Sequence, residues 1–179
     1  MRSGEKGRSP NFSVDLHKEL WYDGYVGATM RVRPFSRKDE DTMVRELMHD
    51  PLFLARKSTP PTAEDLPIAR DLMDTLLHHR EGCVGMAANM IGQLKRIIVF
   101  MDGDTPQLML DPVILKATEP YETEEGCLSL LGGPRKCKRF RKIKVQYKNE
   151  AFQTRIKTYQ DFTAQIIQHE VDHCNGVLI

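Results

Sequence analysis

Near the end of the sequence His169 and His173 stand four residues apart, within Gln168-His169-Glu170-Val171-Asp172-His173. On a helix that spacing stacks the two imidazoles on one face. A tetrahedral metal asks the same of two of its ligands, and Glu170 beside the first is placed to take a proton from an activated water. The plainer alternative is a pair of exposed histidines on an ordinary amphipathic helix.

Two histidines leave a catalytic ion one protein ligand short. Cys127, within Glu125-Gly126-Cys127-Leu128-Ser129, is the first choice, because the preceding glycine lets backbone or substrate approach closely. Cys137 is its rival, lying among cations that favour a thiolate. Cys174 adjoins His173 but points about 100° away around the helix. Cys83 reads as a small buried side chain, as most free cysteines are.

These residues need elements to hold them. The closing helix is expected to run from Asp161, as N-cap, to a stop by Gly176, with Phe162, Ile166, His169 and His173 on one face. An earlier helix starts between Thr62 and Asp65, buries Ile68, Leu72, Leu76 and Leu77, and stops at Gly82. Arg96 to Phe100 suits a buried strand; Gln107 to Leu115 suits another, broken near Asp111-Pro112. From Arg135 to Lys144 the chain is heavily basic, Arg139 and Arg141 included, and open to an RNA-binding reading. The alternation of Ile143, Val145 and Tyr147 with Lys142, Lys144, Gln146 and Lys148 instead favours a half-buried strand with its charges in water. Ala151 to Tyr159 then returns after a turn at Asn149-Glu150. Strands in the middle and helices at the flanks, without regular alternation, point to an α+β fold.

The 179 residues suffice for one domain with a sizeable core. Residues 1–41 read as an N-terminal extension, too polar to gain by folding alone, or as residues ahead of a natural start near Met43. Residues 42–179 read as the domain. A net charge of +1 gives no global bias towards DNA or an anionic membrane, and no apolar run approaches a membrane span. Without an exported-protein signature, the four cysteines are expected to be reduced thiols in a cytoplasm.

The sequence resembles a peptide deformylase. Gln168 to His173 reproduces one family motif and Glu125 to Ser129 a second. A third, Gly-x-Gly-x-Ala-Ala-x-Gln, is partly kept as Cys83-Val84-Gly85-Met86-Ala87-Ala88-Asn89-Met90. The resemblance spans roughly Met43 to Ile179. It implies antiparallel sheets around a central C-terminal helix, and removal of the formyl group from the N-terminal methionine of new polypeptides. Cys127, His169 and His173 would hold the metal, ferrous iron with zinc or nickel as alternatives. Glu170 would be the general acid/base and the Leu128 N–H an oxyanion donor. Val84, Gly85 and Gly126 would meet the substrate backbone, and Phe162 and Ile166 would line the methionine pocket. Formyl-methionyl peptides or nascent chains would be the partners, with a transient ribosome contact.

Two positions depart from the pattern. The first glycine is Cys83 and the glutamine is Met90, whose thioether has no proton to donate. An oxyanion donor is typically worth about 10²–10³ in rate, so the chemistry is expected to be weakened and not abolished. Asn89, one position away, is expected to point to the opposite side of an extended segment. Two alternatives to a weakened deformylase follow: a metal-containing module that binds nascent chains or ribosomes, and an amidase for another acyl-peptide.

Overall fold

The computed structural model describes residues 43–130 and 132–179. The expected extension over 1–41 lies outside the described residues. After a short helix α1 (Pro51–Leu54) and a 3-10 turn (Ala63–Asp65) comes helix α2 (Leu66–His78). The Asp65 carboxylate accepts the Thr62 backbone N–H at 2.7 Å, so both anticipated start residues take part in opening the helix. Proline in the first turn of α2 costs nothing, because the N–H it lacks would have no helical partner there. Leu72 and Leu76 are fully buried, whereas Ile68 and Leu77 are half-buried and Ala69 and Thr75 take the remaining inward positions. The helix ends at His78 instead of continuing to Gly82, its last carbonyls taken by the His79 N–H.

Five strands follow: β1 (Gly85–Ala87), β2 (Ile97–Asp102), β3 (Thr105–Glu125), β4 (Arg135–Lys148) and β5 (Thr154–Gln160). They form one antiparallel sheet in the order β1-β2-β3-β4-β5, so each strand pairs with its sequence neighbour. The ladder is interrupted at Asp111-Pro112, as expected, but the strand runs on well past Leu115. The dipeptide produces a bulge, with the register slipping between Leu110 and Val113 and Asp111 at φ 51°, and β3 then continues to Glu125. From Val113 onward β3 pairs only with β4, and β4 before Lys142 pairs only with β3, which leaves a two-stranded ribbon.

Helix α3 (Asp161–Asn175) packs its Ala164, Ile167, Val171 and Cys174 against the sheet residues Ile98, Phe100, Ile143 and Val145. The N-cap is Gln160, one residue before the expected Asp161, which is already the first helical residue. At the other end Gly176 (φ 72°) closes the helix, and the Val177 N–H reaches back to the Asp172 carbonyl at 2.9 Å. Residue 176 must be glycine, since a Cβ there would overlap the Ala55 carbonyl. Among the described residues no helix is long and apolar enough to cross a membrane.

Candidate metal centre

One face of α3 belongs to the core; the next carries the chemistry. His169 and His173 lie one turn apart, with Nε2 atoms 3.2 Å from each other. Cys127, from the loop after β3, brings its Sγ to 3.2 Å from His173 Nε2, and the three donor atoms lie within 4.8 Å of one another. An ion with bonds of about 2.0–2.3 Å to nitrogen and sulfur holds tetrahedral ligands roughly 3.3–3.8 Å apart. One thiol and two imidazoles are also the donor types a borderline-soft divalent ion prefers. The residues therefore fit a metal. Cys137 lies on β4 opposite Thr123 and Cys174 is wholly buried in the core, so neither joins the cluster.

A hydrogen-bond chain orients these donors. The Glu125 carboxylate accepts from His169 Nδ1 at 2.9 Å, which leaves Nε2 as the nitrogen turned to the donor cluster. Arg139 grips the same carboxylate with both arms of its guanidinium (2.9 and 2.8 Å) and donates to Asp172 at 2.7 Å. Burial alone would raise the Glu125 pKa, but bonds from His169 and Arg139 outweigh it and hold it at about 2. For His169 burial works against the charged ring, yet hydrogen bonding to Cys127 and Glu125 prevails and lifts it to about 10. No carboxylate receives His173 Nδ1, which is buried without a partner; burial and the neighbouring His169 charge push the ring down to about 3.

Gln168 ties the helix to the sheet from its other flank. Its side-chain amide donates to the Phe140 carbonyl and accepts from the Phe140 N–H, both at 2.9 Å, as a neighbouring strand would. Asn89 does not lie in an extended segment. It sits in a 3-10 turn (Ala88–Ile91), fully buried, and donates to the carbonyls of His173 (2.9 Å) and Leu54 (3.3 Å). It is therefore engaged elsewhere and does not stand in for Met90, as expected, though for a different geometric reason.

Cys127 and His169 open onto a cleft of about 240 Å³ lined also by Cys83, Val84, Gly85, Met90, Gly126, Leu128, Phe162, Ile166 and Glu170, with others. Every residue anticipated to meet substrate thus borders one space. Phe162 is not a buried wall: it is 60% exposed at the mouth, whereas Ile166 is buried. Met90 is buried and lines the cleft while packing into the apolar cluster around Leu72 and Met86. The Leu128 N–H has no hydrogen-bond partner among the described residues. Glu170 Oε2 is buried and equally without a partner. Burial pushes its carboxyl up to about 7, opposed by the His169 charge and aided by Glu125. A Cβ at Gly85 would come within 2.6 Å of both Glu170 Oε1 and Ile166 Cγ2 and would have to displace one of them.

The profile of the polypeptide deformylase family matches residues 45–179. The chain belongs to that family. It is 50% identical over 137 residues to a peptide deformylase of Clostridium beijerinckii, covering 76% of this chain and all of that one. A deformylase of Thermotoga neapolitana is 35% identical over 133 residues, 73% of this chain and 80% of its own. Among solved structures, the Thermotoga maritima peptide deformylase superposes with a TM-score of 0.69 at 30% identity, covering 76% of this chain and 94% of that one. A Met-Ala-Ser-bound class I type b deformylase of Acinetobacter baumannii gives 0.70 at 27% identity, covering 77% and 97%. As a deformylase the chain is a hydrolase that removes the formyl group from N-terminal formyl-methionine. The family is metal-dependent, in keeping with the three converging donors.

The network behind the ligands was missed in the sequence. The basic run places Arg139 among charges on the wet face, but it is 5% exposed. A partial signal exists: Arg139 shares odd parity on β4 with the buried Ile143 and Val145, but so do Arg135 and Arg141, which are exposed, and only its carboxylate partners single it out.

Proposed function

We propose that Cys127, His169 and His173 hold the catalytic ion, that Glu170 is the general acid/base, and that the Leu128 N–H is an oxyanion donor. The observation that carries this reading is a buried, unpartnered carboxylate oxygen on Glu170 bordering the cleft where the three donors converge. These three residues would hold ferrous iron, with zinc or nickel able to replace it, and the ion would supply Lewis acidity. Glu170 takes a proton from the attacking water and returns it to the amine as the C–N bond breaks, releasing formate. The Leu128 N–H donates to the formyl oxygen as charge gathers there. Val84, Gly85 and Gly126 border the peptide backbone, and Ile166 and Phe162 line the methionine side chain. Burial of Glu170 suits its task, because a carboxylate held near neutrality both accepts and releases a proton readily.

Met90 makes this a slower member of its family. A thioether in the glutamine's position leaves one oxyanion donor fewer, worth about 10²–10³ in rate. The test is deformylation of formyl-Met-Ala by anaerobic, iron-loaded protein beside Met90→Gln and Glu170→Ala. Measurable turnover that rises 10²-fold or more with Met90→Gln, and vanishes with Glu170→Ala while metal content stays constant, supports the reading. Full activity in Glu170→Ala overturns it.

The four free thiols suit a reducing cytoplasm, where we place the protein. A transient ribosome contact has one observation in its favour. Lys116 stands directly opposite Lys144 across β3 and β4, with exposed Lys142 beside them, and none has an ion pair among the described residues. Reversing Lys142 and Lys144 to glutamate without changing ribosome co-sedimentation would remove that support.

A further inference from the structure

Cys83 occupies the first glycine position of the partly kept motif, and its thiol is not idle packing. Its Sγ lies 3.0 Å from the Gly85 carbonyl oxygen in a buried contact. It borders the cleft that also holds Glu170 and Cys127. Burial, helped by the Glu170 charge, pushes the thiol up to about 12, so the proton needed for donation stays in place.

The direction of the Gly85 carbonyl follows from the ladder. The Met101 N–H donates to the Val84 carbonyl at 2.8 Å, and Val84 and Met101 continue the register in which Gly85 faces Phe100. Polar groups of successive residues in an antiparallel strand point to opposite sides. Gly85 therefore turns its N–H and C=O away from β2, towards the free edge of β1, the outermost strand of the sheet. Its α-carbon meanwhile is pressed against the Glu170 and Ile166 side chains of α3, so a Cβ there would have to displace one of them. An extended peptide entering the cleft meets one backbone acceptor here, beside the carboxylate that must reach the scissile bond.

We propose that Cys83 is a positioning residue: its S–H fixes the aim of the Gly85 carbonyl, the acceptor on the free edge of β1 to which the substrate's backbone pairs. This rests on the peptide entering the cleft as proposed above. A carbonyl oxygen has two lone pairs, so the thiol holds one and leaves the other for the peptide. Three residues make a short strand, and a side-chain tether two residues upstream limits the rotation of its edge carbonyl.

The experiment reads that carbonyl directly. Gly85-Met86 is the only Gly-Met step in the sequence, so 1-13C-glycine with 15N-methionine labelling gives a single HNCO peak for the Gly85 carbonyl. In the zinc-loaded protein, adding Met-Ala-Ser is expected to move this peak and to report its Kd. Cys83→Ala should shift the peak upfield before peptide is added and weaken Met-Ala-Ser by about two- to tenfold, the factor a single modest hydrogen bond is worth. Cys83→Ser, which keeps a donor, should return both values. With formyl-Met-Ala-Ser, KM should rise by the same factor in Cys83→Ala while kcat stays within twofold. An unmoved carbonyl in Cys83→Ala, equal losses in the alanine and serine variants, or a fall in kcat alone would overturn the proposal. So would a carbonyl peak indifferent to the peptide. If turnover is absent in all variants, the proposed chemistry fails, while the carbonyl shift and the peptide Kd still decide the role of Cys83.

Discussion

Removing the Arg139 side chain tests whether the network behind the ligands serves the metal or only the fold. Arg139 makes three charge-assisted bonds, two to Glu125 and one to Asp172, at 2.7–2.9 Å. Its side chain is 7% exposed and that of Glu125 is 6% exposed, whereas Asp172 is 26% exposed. In Arg139→Leu the Asp172 carboxylate can rehydrate, but Glu125 stays buried with His169 as its remaining partner. Breaking a buried pair by removing one member costs about 3–5 kcal/mol, and rehydration of Asp172 places this case near 3. For a chain of this size that corresponds to a fall in Tm of about 6–12 °C in the metal-free protein. The same change loosens the carboxylate that orients His169, and loss of such a partner typically weakens metal binding 10–100-fold. Thermal melts of the apoprotein and competition for zinc against a chromophoric chelator measure the two effects separately. Arg139→Lys keeps the charge without the two-armed grip and should fall between. If Arg139→Leu lowers Tm but binds zinc within twofold of the unmodified protein, the network props up the fold and does not aim the ligand.

Gly85→Ala should cut turnover at least tenfold with secondary structure intact, because the new methyl displaces Glu170 or Ile166; overpacking of this kind costs about 1–3 kcal/mol in urea melts. Gln168→Ala frees both polar groups of Phe140 and should destabilise by about 1–3 kcal/mol, with faster amide exchange at Phe140 as its local signature. Chelating the metal from protein held at 100 times its Kd should remove about 2.7 kcal/mol, or some 5–10 °C of Tm, restored by zinc.

Much of this was legible because helical and strand periodicities leave direct marks. The spacing of His169 and His173 puts both imidazoles on one face of α3, and the alternation around Ile143 and Val145 marks β4. Cys127, preferred from local pattern, is the cysteine whose Sγ converges with them, while Cys137 and Cys174 stand apart. What escaped were features set by tertiary partners. The break at Asp111-Pro112 is legible, because a proline removes a ladder donor, but that a bulge absorbs it and β3 runs on to Glu125 is not. Asn89 looked like a misdirected substitute for the missing glutamine; its buried bond to the His173 carbonyl spans 84 residues, which no local window contains. Arg139 was hidden by its basic neighbours, since composition spoke of a wet face while parity spoke of a buried one.

The β3–β4 ribbon carries a hazard of its own. Beyond Val113 one side of β3 has no partner strand among the described residues, and an open edge is a template on which a second chain can grow. Exposed Lys116, Glu119, Glu122 and Glu124 line this strand, Pro120 interrupts its donors, and Lys136 and Lys138 guard the companion strand. Charges that first suggest a binding surface thus also act as insulation against aggregation. Glu124 aside, which also lines the cleft, their neutralisation would leave the catalytic centre untouched and still remove the enzyme from solution, so the ribbon's sequence is under a constraint that no activity assay reads.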